Sequence, residues 1–309
     1  MGGLPGGPVN IAAHEFAPWQ KRIEATVRLA IMSPKSGLSV DEFRRAIEEL
    51  PPQLYDSLTY FEKWIAALSN LMVARGAFTK AEIEARRRDA AGSHAAEALV
   101  EDDHDHNHDH DHAPIRADEP SGPYQVLADT LRALLIEKDY FTPAQHRELI
   151  GAIDASGPAA GARLVVRALT DPGFKQRLLD DGRAACKELG IALNEVNLVT
   201  VENTARVHNV VVCTLCSCYP VFILGRPPDW YKSAAYRSRV VREPRAVLKE
   251  FGTDIAAGRE VRVHDSTADM RYLVLPLRPT GTEGWNAAKL EAIVTRDTMV
   301  GVAECRIAS

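Results

Sequence analysis

The stretch Cys213-Thr214-Leu215-Cys216-Ser217-Cys218 sets three thiols within six residues, entered from the apolar run Val210-Val211-Val212 and left through Tyr219-Pro220. On a turn, that spacing lets the three sulfurs and the peptide nitrogens between them converge on one point, as a metal claw. Three readings compete. A structural zinc site needs a fourth ligand and usually a second ligand pair elsewhere, whereas Cys186 and Cys305 stand alone and His208 is the only imidazole nearby. A disulfide fits poorly, because no secretory signal is legible and the few cysteines do not form a framework. The third reading is a thiolate site that also takes the backbone amides of Ser217 and Cys218. Such a strong ligand field suits trivalent cobalt or iron and exceeds what divalent zinc requires.

Outward from the claw, Val212 to Pro220 resembles the metal claw of the nitrile hydratase alpha subunit, which the metal-bearing subunit of thiocyanate hydrolase shares. The resemblance runs on through Leu224-Gly225, Pro227 to Ser233, Tyr236 to Arg245, Arg271 to Pro276, Gly281 to Trp285 and Thr295-Arg296-Asp297. That extent outweighs a lone motif match. It implies that Cys213, Cys216, Ser217 and Cys218 hold the metal. In the family a Thr between the first two cysteines, here Thr214, goes with cobalt and a Ser with iron, so trivalent cobalt is expected ahead of iron. It further implies that Cys216 is oxidised to the sulfinic and Cys218 to the sulfenic state, with Cys213 left as a plain thiolate. The Cys218 sulfenate would lie beside the sixth coordination position, able to attack a bound nitrile or to orient a water. A trivalent metal there would polarise the nitrile and lower the pKa of bound water.

Composition sets wider limits. The 309 residues leave room for two domains and a substantial core. A 46% hydrophobic content and a net charge of -5 suit a soluble globular protein and argue against a nucleic-acid surface. No apolar run approaches the length of a bilayer span, so no membrane partner is expected. Cysteines without a secretory signal point to the cytoplasm.

Residues 1–90 are expected to form a helical domain. Trp19 through Ile31 has apolar residues at helical spacing, and Ser39-Val40-Asp41-Glu42 is a capping-box signature ahead of Phe43, Ala46 and Ile47. A longer helix follows, with Tyr60, Trp64, Leu68 and Leu71 on one face, and Thr79-Lys80-Ala81-Glu82 starts another. The stretches Asp41 to Arg44, Ile47-Glu48 and Thr59 to Trp64 resemble the N-terminal half of the nitrile hydratase beta subunit. The resemblance implies that Arg44 is one of two arginines holding the oxidised cysteines, that Tyr60 hydrogen-bonds the claw serine Ser217, and that Trp64 lines the substrate pocket. The plainer alternatives are a solvated Arg44 like its neighbour Arg45, and a core stripe in which Tyr60 and Trp64 merely pack.

Residues 91–122 read as a linker. Its centre, Glu101 to His112, alternates imidazole with mostly acidic groups and offers nothing apolar to bury, so a solvated tether is expected. The sharper reading is that its five imidazoles capture divalent cobalt on the way to the claw. From residue 123 to 309 the expectation is an α+β module: a helical arm carrying Leu127, Leu131, Leu134 and Leu135, then a layered α/β sandwich. Helices are expected from Thr142-Pro143 and from Asp171-Pro172 to Gly190. Strands are expected over Leu198–Val201, Val210–Val212, Val261–Val263, Tyr272–Leu277 and Met299–Val302.

The resemblance also predicts what is missing. The family's beta subunit continues into a small barrel that supplies the second arginine, and no such half follows Glu82. A separate partner chain bearing that barrel, in a hetero-oligomer, is therefore expected. After Tyr219-Pro220 the family's nitrile hydratases usually carry Trp-Pro-Val-Leu-Gly, where this chain has Val221-Phe222-Ile223-Leu224-Gly225, and Asn194 stands in place of a family glutamine. Three functions follow: a hydro-lyase converting a small nitrile to its amide; a thiocyanate hydrolase releasing carbonyl sulfide and ammonia; or a metal subunit fused to a metal-loading activator domain.

Overall fold

Short-range capping chemistry starts most of the helices that precede the claw. The computed structural model describes residues 2–12, 17–88, 122–192, 197–215, 218–267 and 269–307. The chain divides into two units, Met1–Glu15 with Ala155–Ser309, and Phe16–Asp154. The histidine-rich tract and Asn194 lie outside the described residues.

In the unit Phe16–Asp154, helices α1 (Pro18–Met32), α2 (Val40–Glu48), α3 (Pro52–Ser57) and α4 (Tyr60–Ala74) are followed by α5 (residues 80–88), α6 (Gly122–Glu137) and α7 (Pro143–Ala155). The Ser39 hydroxyl accepts from the Glu42 amide at 3.1 Å while the Glu42 carboxylate accepts from the Ser39 amide at 2.9 Å. Thr79 with Glu82, and Thr142 with Gln145, repeat the device. These reciprocal bonds satisfy first-turn amides that have no partner inside the helix. The core joins Ile23 and Val27 of α1, Phe43 of α2, and Phe61, Ile65, Leu68 and Met72 of α4 to Leu127, Leu131, Leu134 and Leu135 of α6. Polar ties reinforce it: the Lys138 ammonium donates to the Ala77 carbonyl at 3.0 Å and pairs with Glu82 at 2.7 Å. The division in space thus differs from the division by sequence module, since α6 and α7 pack with the N-terminal helices.

In the other unit, α8 (Ala159–Thr170), α9 (Pro172–Asp180) and α10 (Gly182–Glu188) precede strands β1 (Asn197–Glu202) and β2 (Val207–Val212). The single helix expected from Pro172 to Gly190 is two. Asp181 turns to extended geometry, and its carboxylate accepts from the Ala184 amide at 2.9 Å, capping a fresh helix. Short helices α11 (Val221–Leu224), α12 (Asp229–Lys232), α13 (Ala234–Arg239) and α14 (Pro244–Glu250) lead to β3 (Glu260–Asp265) and β4 (Met270–Leu275), then α15 (Ala287–Glu291) and α16 (Arg296–Val300). The strands form two parallel pairs, β1 with β4 (Asn197 opposite Met270) and β2 with β3 (Val207 opposite Glu260). Residues 208–212 of β2 are all buried, the polar His208 and Asn209 as well as the apolar Val210 to Val212.

The strand expected over Met299–Val302 is instead the end of α16. Thr295 caps that helix through the Thr298 amide at 3.3 Å, and Gly301 closes it at φ +89°. A side chain at Gly301 would also collide with the Asn209 carbonyl, so only glycine fits. The core of this unit gathers Phe174, Trp230, Tyr231 and Tyr236 with the buried strand residues. Among the described residues, no single helix is long and apolar enough to cross a membrane.

Candidate metal centre

The claw loop leaves the end of β2, where Val212 sits opposite Asp265 of β3 and its carbonyl accepts from the Ser266 amide at 2.7 Å. Cys213 is fully buried and Cys218 nearly so. Between them the loop is held by groups from three other elements. Arg237 of α13, itself buried, donates from Nε to the Cys213 carbonyl at 3.0 Å and from Nη2 to the Thr214 carbonyl at 3.2 Å. Asp265 accepts from the Thr214 amide at 3.0 Å and from its hydroxyl at 2.5 Å. Tyr231 of α12 donates to the Cys218 carbonyl at 2.8 Å, and Tyr236 donates to the Val211 carbonyl at 2.6 Å. Burial raises both phenols well above the usual tyrosine range, which keeps them protonated as donors. One guanidinium on two successive carbonyls is a geometry that a single ammonium does not reproduce.

Two of the four expected ligand positions, Cys216 and Ser217, lie outside the described residues. Among the described residues, no group of three His, Cys, Asp or Glu side chains is placed to hold a metal. The donor chemistry of the remainder suits a thiophilic ion: Cys213 and Cys218 place two buried sulfurs at the two ends of a fastened loop. The other candidates are engaged elsewhere. His208 is fully buried, with Nε2 2.7 Å from the Gly301 carbonyl and Nδ1 3.5 Å from the Asn203 side chain, so both ring nitrogens face protein partners. Burial pushes the thiols of Cys186 and Cys305 up to about 11, which keeps them protonated at neutral pH.

Arg44, Tyr60 and Trp64 fall in the unit Phe16–Asp154 and Cys213 and Cys218 in the other. Within their unit the three stand on two helices that pack together. Phe43 of α2 meets Trp64 of α4 edge-on at 5.5 Å, and Tyr60 lies 5.2 Å from Trp64 between ring centroids. The Arg44 side chain is 14% exposed and reaches Asp41 at 3.6 Å, whereas Arg45 is exposed, which separates Arg44 from a solvated helix arginine. The buried stripe of α4 is Phe61, Ile65, Leu68 and Met72, and Tyr60, Trp64 and Leu71 are only partly buried beside it.

Tyr231 and Arg237 fall inside the family-like stretches but nothing in their local sequence marks them as fasteners of the loop, and Asp265 lies outside those stretches. Their signal is tertiary: Asp265 is 51 residues from Thr214, and only the parallel register of β2 with β3 brings them together.

Comparison with known proteins gives the family. Residues 123–303 match the family model "Nitrile hydratase, alpha chain", and residues 1–110 match "Nitrile hydratase beta subunit, N-terminal". The cobalt-containing nitrile hydratase alpha subunit of Pseudonocardia thermophila is 51% identical over 175 residues, covering 56% of this chain and 86% of that one. The thiocyanate hydrolase gamma subunit of Thiobacillus thioparus is 42% identical over 192 residues, covering 58% of this chain and 79% of its own length. Among solved structures, an Fe-type nitrile hydratase variant from Comamonas testosteroni superposes with a TM-score of 0.56 at 44% identity, over 57% of this chain and 87% of that one. The chain therefore belongs to the nitrile hydratase alpha-chain family, and carries ahead of its alpha-type module a segment of the beta-subunit N-terminal kind.

Proposed function

We propose that this chain is the metal-bearing component of a cobalt nitrile hydratase, a hydro-lyase that adds one water across a small nitrile to give the amide. The observation that carries the proposal is the fastened loop with the Cys213 and Cys218 thiols buried at its two ends. When bound, trivalent cobalt would supply Lewis acidity toward the nitrile nitrogen and acidify water. Cys213, Cys216 and Cys218 would hold it through sulfur, and Ser217 and Cys218 through their amides, with Cys216 and Cys218 oxygenated. Thr214 and the cobalt-containing relative favour cobalt over iron.

The chain's own groups divide the remaining work. The Arg44 guanidinium would pair with the anionic oxygens on the modified cysteines, since it stays charged and donates in pairs. The Tyr60 hydroxyl would bond Ser217 and assist proton transfer, relaying to the nitrile nitrogen a proton that the added water replaces, and Trp64 would flank the substrate. Residues 1–90 and 123–309 would be the two functional modules, joined through 91–122 and working in the cytoplasm. A separate chain carrying the barrel half of a beta subunit would complete a hetero-oligomer and supply the second arginine.

A second reading is favoured by two observations. The likeness to a thiocyanate hydrolase gamma subunit spans most of that protein, and Val221-Phe222 opens α11 where nitrile hydratases usually carry Trp-Pro. Turnover of an aliphatic nitrile, an aromatic nitrile and thiocyanate by the metal-loaded complex separates the two. The reading of the site is tested by metal analysis with mass spectrometry of the claw peptide. One cobalt with two added oxygens on Cys216 and one on Cys218 is expected; zinc with all sulfurs reduced in an active preparation overturns it.

A further inference from the structure

The first residues of the chain lie not with the helices they precede in sequence but in the unit that carries the claw. Residues 2–9 run as an extended strap fastened at successive points. The Gly3 amide donates to the Ser238 carbonyl at 2.7 Å, and Arg242 donates to the Gly3 carbonyl at 2.8 Å. Arg239 donates to the Gly7 carbonyl at 2.9 Å, and the Val9 amide donates to the Glu250 carboxylate at 2.8 Å. Arg239 and Glu250 are themselves paired at 2.7 Å, so one ion pair clasps the strap from both partners. Val9 is buried in the core of this unit.

The strap also runs beside the claw. A β-carbon added at Gly2 would fall 2.9 Å from Cγ2 of Thr214, closer than such atoms approach, and 3.2 Å from its Cβ, so one of the two residues would have to shift. Thr214 is thus held at its amide and hydroxyl by Asp265 and at its carbonyl by Arg237, and its methyl faces the position where a side chain on Gly2 would begin. The same short helix serves both surfaces, because α13 supplies Arg237 to the loop and Ser238 and Arg239 to the strap.

We propose that residues 2–9 are a positioning element for the metal loop, a strap that presses Thr214 against Asp265 and so holds the claw in a metal-ready shape. The role is distinct from catalysis, and only its metal readout rests on the cobalt reading above. The first test therefore uses the metal-free full-length chain. Hydrogen–deuterium exchange of the peptide spanning residues 210–219 is compared between wild type, Gly2→Ala, a variant lacking residues 2–9, and Gly7→Ala. Gly7 has open space around its α-carbon, so it is the steric control. Exchange in the claw peptide rises about tenfold in the first two variants and stays at the wild-type rate in Gly7→Ala. Adding Thr214→Ser to Gly2→Ala removes the methyl that clashes and restores most of the protection. The second readout is cobalt loss to a chelator, faster by a similar factor in the strap variants. Wild-type exchange in the claw peptide of the Gly2→Ala and truncated chains overturns the proposal, as does an equal rise over all four strands, which would make the strap a general staple. A protected claw that never takes cobalt leaves the strap standing and refutes the metal reading instead.

Discussion

Arg237→Lys is the most informative single change at the claw. The guanidinium makes two charged hydrogen bonds, to the Cys213 and Thr214 carbonyls, from a side chain shut off from solvent. Lysine keeps the charge but is one atom shorter and gathers its donors on a single nitrogen, which cannot stand at both the Nε and the Nη2 positions, so one of the two bonds is lost or weakened. A hydrogen bond to a charged group is worth about 1.5–3 kcal/mol, and burial removes the solvent screening that would discount it. For a unit of this size each kcal/mol shifts the midpoint of thermal unfolding by about 2–4 °C, so the expected fall is roughly 3–12 °C. Arg262→Lys is the internal control. Arg262 offers the same fork to Glu260, but on exposed side chains, and its loss should be worth no more than about 1 kcal/mol. The assay is calorimetry of the metal-free chain, followed by cobalt retention under chelator. If Arg237→Lys melts within a degree or so of Arg262→Lys, the buried fork is not what fastens the loop.

Other outcomes follow from the same structure. Arg44→Lys should cost activity sharply, on the order of tenfold or more, if the N-terminal helices are a catalytic half, and should leave turnover of the loaded enzyme intact if they are a loading domain. Removing residues 101–112 should lower cobalt occupancy when metal is limiting and leave it unchanged when metal is in excess; unaltered loading under limitation refutes capture by the tract. His208 is held below the ordinary imidazole range by burial, against the opposing pull of the Gly301 carbonyl, and burial drives His146 and His264 the same way. These rings stay neutral in the fold while the unfolded chain takes up protons below about pH 6.5. Stability should therefore be full above that pH and decline as pH falls through it, by up to about 1.4 kcal/mol per pH unit for His208. Urea midpoints of His208→Gln should show a shallower decline than wild type; an identical slope would contradict the assignment.

What the sequence disclosed tracks how local each interaction is. The caps at Ser39, Thr79 and Thr142 were legible because each is complete within four residues. The leucines of α6 were legible as a buried stripe for the same reason. The break at Asp181 was not, because a capping aspartate inside an apolar helical pattern looks like any surface residue. Met299 to Val302 misled because a short apolar run is compatible with strand or helix, and a threonine cap with a closing glycine decides it. On α4 the period was right but the face was turned: Phe61 and Ile65 go inward, and Tyr60 and Trp64 remain at the edge. The claw was readable as a cysteine spacing, but its fastening was not, since Asp265, Tyr231 and Arg237 reach it only through the register of strands and the docking of short helices.

The exchange of segments between the two units has a consequence for how the protein comes apart. Helix α6 lies after residues 89–121 in sequence yet shares a core with α1 and α4, and α7 is tied to α1 through Thr26 and His146, while residues 2–12 lie before that stretch and pack on the claw-bearing unit. A protease that nicks the chain within residues 89–121 would yield two fragments, each lodged in both units. They should co-migrate until denatured, because separating them means unravelling two cores at once.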